Sequence, residues 1–355
     1  MMKDLLIERP EIKDWEEFDD HRAVYSFSDP KIGLKGFIAI HRRNGRLPSF
    51  GATRLWHYPS DDEALRDALG LARTMSYKAA MAGLPYGGAK AVIIGNGEWQ
   101  ANRVALLSAY AAMVDELAGA FITGTDVGIN QDDLRVLGQA SQNFVGFNND
   151  TTECTALGVL EAMRVCLDKA LGSAETKGRK FSIQGLGKIG TALARLLYND
   201  AAQIFVSEVN PANLETFKKE FPHCVVVPPE EIHKQAVDVF SPCALSHSIT
   251  LKVAEELECK IVCGGANNQL EREEVGNVLM NRGIIYAPDY VANAGGLISV
   301  ADEYGHEQYD HERVLSKVMG IKDTMAEILA TSAKIGEATN FVANMMAEKV
   351  FNGYK

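Results

Sequence analysis

The six residues Gly185-Leu186-Gly187-Lys188-Ile189-Gly190 constrain this chain more than any other feature. They follow a short β-rich run, Phe181 to Gln184, and open the segment KIGTALARLL, whose apolar residues fall at helical spacing. A G-x-G-x-x-G pattern in that setting calls for a strand–turn–helix unit. The first glycine permits the tight turn, the second lets backbone approach a pyrophosphate, and the third lets helix and strand pack closely. The helix N-terminus then faces the phosphate charge. Thr191, the next residue, is counted with the loop as an expected cofactor contact. The following β-rich run, QIFVSEV, ends in Glu208, 23 residues after Gly185. A carboxylate there can hydrogen-bond a ribose 2′-hydroxyl and would repel a 2′-phosphate, so the sequence predicts NAD in preference to NADP.

The surrounding pattern extends this unit. After QIFVSEV come a helical stretch and then three more β-rich runs, CVVV, AVDVFSPC and CKIVCGGA. Strands alternating with helices predict a doubly wound parallel sheet of the Rossmann type. A helix over 155–170 precedes it. Upstream, residues 24–41 read as a hairpin around a Pro-Lys-Ile-Gly turn, and its edge is a candidate dimer contact. Residues 61–82 form an amphipathic helix with Ser60 as N-cap and acids in its first turn, ended by Gly83. The strand AVIIG, a helix over 101–119 and the strand AFITG follow. At about 100–200 residues per domain, 355 residues predict two. We expect an α/β substrate and oligomerisation domain over 1–145, with helices from about 311 to 355 packing back onto it, and the dinucleotide domain over 146–310.

Composition narrows the function. Lys and Arg number 36 against 47 Asp and Glu, a net charge of −11, which disfavours nucleic acid as a partner. No apolar run is long enough to span a bilayer, and the acid-rich N-terminus does not read as a signal peptide. Six scattered cysteines without a CxxC pair predict reduced thiols, a cytoplasmic setting and no zinc site. No His/Asp/Glu cluster with ligand spacing indicates any other metal.

Three charged residues stand in unusual company. Lys78 lies near the end of a helix in TMSYKAAMAGL, and Lys90 lies between a glycine-rich turn and an apolar strand in LPYGGAKAVIIG. Lysine is rarely placed inside apolar stretches. Desolvation or a neighbouring ammonium can turn it into a base near neutral pH. Asp126 follows a strand in ITGTDVGIN, where a carboxylate could hold an amine or relay protons.

With these segments in view, the chain resembles the glutamate/leucine/phenylalanine/valine dehydrogenase superfamily, and within it the leucine and phenylalanine branch. The matching stretches are GATRLW, TMSYKAAMAGLPYGGAKAVI, TGTDVGI, TALGV, QGLGKIG, PCAL, ANNQL and APDYVANAGGLISVADE. They run in order from about residue 25 to 310. The resemblance implies that Lys78 binds the substrate carboxylate, with Gly51 and Ala52 letting backbone approach it. Ala52 replaces the commoner second glycine. It implies further that Lys90 activates the water attacking an iminium carbon, that Asp126 handles the amino group, and that Asn268 bridges the nicotinamide amide and the substrate. Thr155 and Ala244 match positions beside the cofactor. The implied net reaction converts an L-amino acid, NAD⁺ and water to a 2-oxo acid, ammonia and NADH. Relatives form homo-oligomers, and a homo-oligomer is expected here.

Substrate choice follows from side-chain chemistry. Glutamate enzymes carry a lysine where this chain has Phe50, and a small polar residue where it has Val300. A buried side-chain carboxylate without a cation is costly, so an apolar substrate is expected. Gly124 and Leu297 match the pair found with aromatic substrates, whereas leucine enzymes are the commoner class. A leucine-type activity is the expectation, with an aromatic amino acid or a specialised 2-oxo acid as alternatives. A hydroxy-acid dehydrogenase would need a histidine in these motifs, and none is there. A non-catalytic NAD sensor would predict the loss of Lys78, Lys90 or Asp126, and all three are present. Glu153-Cys154 replaces a proline-containing turn of many relatives, and Cys243 reads as a packing residue.

Overall fold

A computed structural model of the chain describes residues 6–8, 12–95, 99, 102–147, 151–200 and 202–354. The fold divides into two compact units. The first comprises residues 1–149, 303–308 and 347–355, and the second 150–302 and 309–346.

The first unit carries strands β1 (Leu6–Glu8), β2 (Ala23–Asp29), β3 (Leu34–Ile40) and β4 (Ser49–Trp56), helix α1 (Asp61–Met81), strand β5 (Gly87–Ile94), helix α2 (Arg103–Asp115), strand β6 (Phe121–Thr125) and helix α3 (Gln131–Ala140). Residue 101, the expected first residue of the second helix, lies outside the described residues. The strands form one mixed sheet in the order β1-β2-β3-β5-β4-β6. The hairpin forms as expected, Ala23 opposite Ile40. Its outer strand is itself covered by β1 over Ser26–Ser28, so the sheet ends on β1.

Period-two alternation sorts the side chains of this sheet onto two faces. Val92, Phe37 and Ala39 pack under α1 through Ala64, Leu65, Ala68 and Leu69. Ala91, Ile93, Ile38 and Leu55 point the other way, into a core with Leu106, Tyr110 and Leu134 of α2 and α3. Helix α1 starts where Ser60 accepts a hydrogen bond from the Glu63 amide, with three acids in its first turn favoured by the helix dipole. It meets β5 very closely: a Cβ on Gly88 would fall 1.9 Å from the Ser76 nitrogen. Glycine is therefore required there, and the Gly88 amide donates to Ser76 Oγ at 2.9 Å.

The second unit opens with α4 (Thr151–Leu171) and continues through β7 (Lys180–Gln184), α5 (Lys188–Asn199), β8 (Gln203–Ser207), α6 (Pro211–Glu220), β9 (Val225–Val226), β10 (Val239–Pro242), α7 (Leu251–Glu256), β11 (Ile261–Val262), α8 (Val275–Asn281) and β12 (Ile285–Tyr286). Helices α9 (Asp289–Ala292), α10 (Gly295–Gly305), α11 (His311–Met319), α12 (Ile321–Ile335) and α13 (Thr339–Phe351) complete the chain. Its strands run in the order β12-β11-β10-β7-β8-β9, and every pairing is parallel. That is two mononucleotide-binding halves meeting between β7 and β10, the point where strand order reverses.

The C-terminal region departs from the expectation. Residues 309–346 cluster with the second unit, and only 347–355 join the first. The reason is an apolar seam: α11 and α12 bury Val314, Val318, Ile321, Met325 and Ile328, and both pack against α4. Gly158 of α4 makes room for Ile321, whose Cδ1 lies 2.7 Å from where a Cβ would stand. The division between the units also falls at 149/150, a few residues beyond the expected boundary at 145. Among the described residues no helix is long and apolar enough to cross a membrane.

Candidate active site

The α1-facing side of the first sheet gathers the charged residues. The register pairs Phe50 with Gly88 and with Ile122, and Ala52 with Gly124. Counting by twos, Phe50, Ala52 and Arg54 of β4 share this face with Gly88 and Lys90 of β5 and with Gly124 and Asp126 at the end of β6. Small residues thus sit in the middle, an aromatic at one end, and charges at the other.

Lys90 Nζ donates to Asp126 Oδ2 at 2.5 Å. Their side chains are 6% and 18% exposed, so the ion pair is largely withdrawn from water. Arg54 Nε donates to the same oxygen at 3.2 Å. Burial alone would push the Asp126 carboxyl up, but the charges of Lys90 and Arg54 and the Lys90 hydrogen bond outweigh it and hold it at about 2. Asp126 is therefore a carboxylate throughout the neutral range. Arg54 also donates through Nη1 to Asp67 of α1 at 2.9 Å, and Tyr58 hydroxyl donates to that same Asp67 oxygen.

Lys78 is 8% exposed on α1. It lies two residues beyond Ser76, as Lys90 lies two beyond Gly88, on the two elements that touch at Ser76 and Gly88. Gly51 is buried, and a Cβ there would fall 1.9 Å from the Ala89 carbonyl oxygen. Phe50 is completely buried. Its ring packs on Tyr86 at 4.5 Å and edge-on to Tyr304 at 5.3 Å. Gly124 packs closely on Val145, whose carbonyl oxygen lies 3.2 Å from a Cβ position.

In the second unit the glycine loop is built as its sequence requires. Gly185 has φ +94°, and a Cβ on it would strike Ala244 at 2.7 Å, so Ala244 sits directly on the loop. Gly187 is the N-cap of α5 with nothing within 4 Å of a Cβ position, which leaves an open approach to the helix N-terminus. Gly190 packs so closely that a Cβ would lie 2.0 Å from the Gly185 carbonyl oxygen. Thr191 Oγ1 donates to the Leu186 carbonyl, tying the loop to the first turn. Lys188 is exposed at the start of α5, and Ile189 reaches Gly265, its Cγ2 2.4 Å from a Cβ position there. Glu208 accepts from the Leu186 amide at 2.7 Å and from the Asn210 amide at 2.8 Å. Its carboxylate is held at the loop by the backbone. An open glycine cradle, a helix N-terminus and an anchored carboxylate fit a dinucleotide.

Thr155 Oγ1 donates to the Thr151 carbonyl within α4. Asn268 adopts φ +49°, a left-handed conformation that costs little for asparagine, and its carbonyl accepts from the His247 amide at 2.7 Å. Leu297 and Val300 lie one turn apart on α10, Leu297 buried and Val300 half-buried. Glu153 and Cys154 are part of the first turn of α4, so helix runs where a proline-containing turn was the comparison. The Cys243 thiol accepts from the Gly265 amide at 3.4 Å, and burial raises its pKa, as suits a packing residue. Among the described residues no group of three or more His, Cys, Asp or Glu is placed to hold a metal ion.

Sequence reasoning passed over Arg54, Asp67, Tyr86 and Tyr304. Arg54 carried a readable signal, since in GATRLW it stands two residues after Ala52 and so on the same face. Asp67 and Tyr304 join only through tertiary packing.

Comparison with known proteins places both units. Residues 21–143 match the model of the Glu/Leu/Phe/Val dehydrogenase dimerisation domain, and residues 204–351 that of glutamate/leucine/phenylalanine/valine dehydrogenase. The chain is 41% identical over 339 residues to an L-tryptophan dehydrogenase from Nostoc punctiforme, covering 94% of each protein. It is 38% identical to a phenylalanine dehydrogenase from Bacillus thermotolerans, covering 94% of this chain and 89% of that protein. It is 36% identical to a leucine dehydrogenase from Thermoactinomyces intermedius, covering 95% and 93%. The crystal structure of the Nostoc punctiforme enzyme superposes with a TM-score of 0.80 at 40% identity, over 94% of this chain and 96% of that one.

Proposed function

The chain belongs to the Glu/Leu/Phe/Val dehydrogenase family, and from that premise we propose that it carries out the NAD-dependent, reversible oxidative deamination of an apolar L-amino acid to its 2-oxo acid and ammonia. The observation that carries this reading is the withdrawn Lys90–Asp126 ion pair, a base and an acid at 2.5 Å on one sheet face.

The Lys78 ammonium binds the substrate carboxylate, with the Gly51 and Ala52 backbone alongside. Asp126, ionised, accepts a hydrogen bond from the substrate amino group and stabilises the positive charge of the iminium that forms there. Lys90, in its neutral form, takes a proton at Nζ from the water that attacks the iminium carbon, passes it to the nitrogen that leaves as ammonia, and takes the remaining hydroxyl proton as the C–N bond breaks and the carbonyl forms. The dinucleotide, when bound by Gly185–Thr191, Glu208, Thr155, Ala244 and Asn268, supplies the hydride acceptor. Glu208 favours NAD, because its anchored carboxylate suits a ribose hydroxyl and repels a phosphate.

For the substrate side chain, Phe50, Gly124, Leu297 and Val300 are the proposed apolar lining. The Phe50–Tyr86–Tyr304 cluster supports an aromatic side chain as the first reading, in keeping with the tryptophan dehydrogenase among the relatives. Leucine is the second reading, favoured by the similarity to leucine dehydrogenases. Ammonia-dependent NADH oxidation with phenylpyruvate, indolepyruvate, 4-methyl-2-oxopentanoate, 3-methyl-2-oxobutanoate and 2-oxoglutarate tests both. Fastest turnover with an aryl acid supports the first reading, and fastest turnover with 4-methyl-2-oxopentanoate the second. No turnover with any of them rejects the function. The match to a dimerisation domain supports a homo-oligomer, which a monomeric mass by light scattering would contradict. The six free cysteines support a cytoplasmic setting.

A further inference from the structure

Asp126 has two cationic partners on one oxygen, and only one of them belongs to the proton chemistry. Lys90 must cycle between ammonium and amine if it is to act as a base. At 2.5 Å, Asp126 is a group with which it could exchange a proton unproductively. Arg54 shares the same Oδ2 at 3.2 Å and is 19% exposed. A guanidinium does not deprotonate in a protein, and its fork can hold two acceptors at once. Arg54 uses that fork: Nε serves Asp126 and Nη1 serves Asp67, which is also held by Tyr58. The groups acting on Asp126 are Lys90 from β5 and Arg54 from β4, with the Val127 amide adding a hydrogen bond. Those acting on Arg54 are Asp126, Asp67 from α1 and Tyr58.

We propose that Arg54 is a positioning residue: braced by Asp67, it fixes the Asp126 carboxylate and supplies a permanent countercharge, so that Asp126 stays ionised when Lys90 gives up its proton. The proton from Lys90 is thereby directed to the substrate nitrogen instead of to Asp126. This inference rests on the deamination reading above.

The test compares the wild type with Arg54→Met, Arg54→Lys and Asp67→Asn. Two quantities are measured: kcat and KM for deamination against pH, and the Asp126 carboxyl titration by ¹³C NMR in the unliganded protein, assigned with Asp126→Asn. In Arg54→Met, kcat falls about ten- to a hundredfold with little change in KM, as expected for lost alignment. Losing a nearby cation favours the protonated state of its neighbours, so the rising limb of kcat and the Asp126 titration both move up by about one pH unit. Arg54→Lys keeps the charge and restores the position of the limb, while part of the kcat loss remains because the fork is gone. Asp67→Asn removes the brace and costs part of kcat, while the lost anion moves limb and titration slightly down, opposite to Arg54→Met. A purely structural role would lower the folded fraction and leave limb and titration where they are, and that result overturns the proposal. If Arg54→Met does not fold, an unmoved limb and titration in Arg54→Gln overturn it equally. A wild type without ammonia-dependent turnover rejects the deamination reading before any variant is made, and the proposal with it.

Discussion

Replacing Lys90 by alanine separates chemistry from architecture. The substitution removes an ammonium that is 6% exposed and lies 2.5 Å from Asp126, itself 18% exposed. Stripping one partner from a fully buried ion pair costs about 3–5 kcal/mol, because a charge is left without compensation. Here Arg54 still holds the Asp126 oxygen at 3.2 Å, so the expected loss is about 1–3 kcal/mol in urea unfolding at pH 7. Turnover loses its base and falls by about 10²–10⁴. The glycine loop and Glu208 belong to the second unit and Lys90 to the first, so NADH affinity by fluorescence titration stays within about threefold of the wild type. The double variant Lys90→Ala/Asp126→Asn sharpens the argument. It removes the undercompensated carboxylate while the amide carbonyl still accepts from Arg54, so much of the stability returns and the turnover does not. Lys90→Ala turning over at more than a tenth of the wild-type rate would refute the assignment of Lys90 as base. A double variant no more stable than the single one would refute the ion-pair account of the cost.

Other expectations follow from the same geometry. Glu208→Ala removes the carboxylate held by the Leu186 and Asn210 amides, and the preference for NAD over NADP, measured as the ratio of kcat/KM values, should shrink. Gly190→Ala forces a Cβ to within 2.0 Å of the Gly185 carbonyl oxygen, so the loop must shift, with about 1–3 kcal/mol of destabilisation and weaker NADH binding in the same titration. Asp126 titrates lower in the folded protein, at about 2, than in the unfolded chain. Its stabilisation is complete above about pH 4 and is lost as pH falls toward 2, about 2 kcal/mol in all. Asp126→Asn should flatten that part of the stability–pH curve by urea titration. Phe50→Ala empties a completely buried site beneath Tyr86 and Tyr304, at a cost of about 3–5 kcal/mol, and should change the order of preferred 2-oxo acids in the turnover panel.

Much of this molecule was legible in one dimension because local rules act over short spans. The glycine loop announces itself through the order of strand, glycines and helix, and Gly185 and Gly190 each turned out to have a steric reason while Gly187 leaves the helix N-terminus open. Ser60 and the acids after it marked the start of α1, since capping and dipole effects involve only neighbouring residues. Lys78, Lys90 and Asp126 drew notice as charges in apolar company, and the structure places the last two in contact. The parallel sheet of the second unit followed from its alternating runs.

What the sequence by itself determined was therefore the strand–glycine–helix unit, the parallel sheet around it, and the presence of Lys78, Lys90 and Asp126 as charges in apolar company. Tertiary structure decided who faces whom. That Arg54 stands between Asp126 and Asp67 depends on the register of β4 against β6 and on α1 lying across them, a pairing of residues 54 and 126 that no local pattern encodes. That Phe50 lies under Tyr304 joins residues far apart in the chain. The C-terminal helices went to the second unit because α4 presents a seam, with a glycine at Gly158, that Ile321 fills. Their amphipathic pattern says that one face must be buried, and only the complementary surface says where.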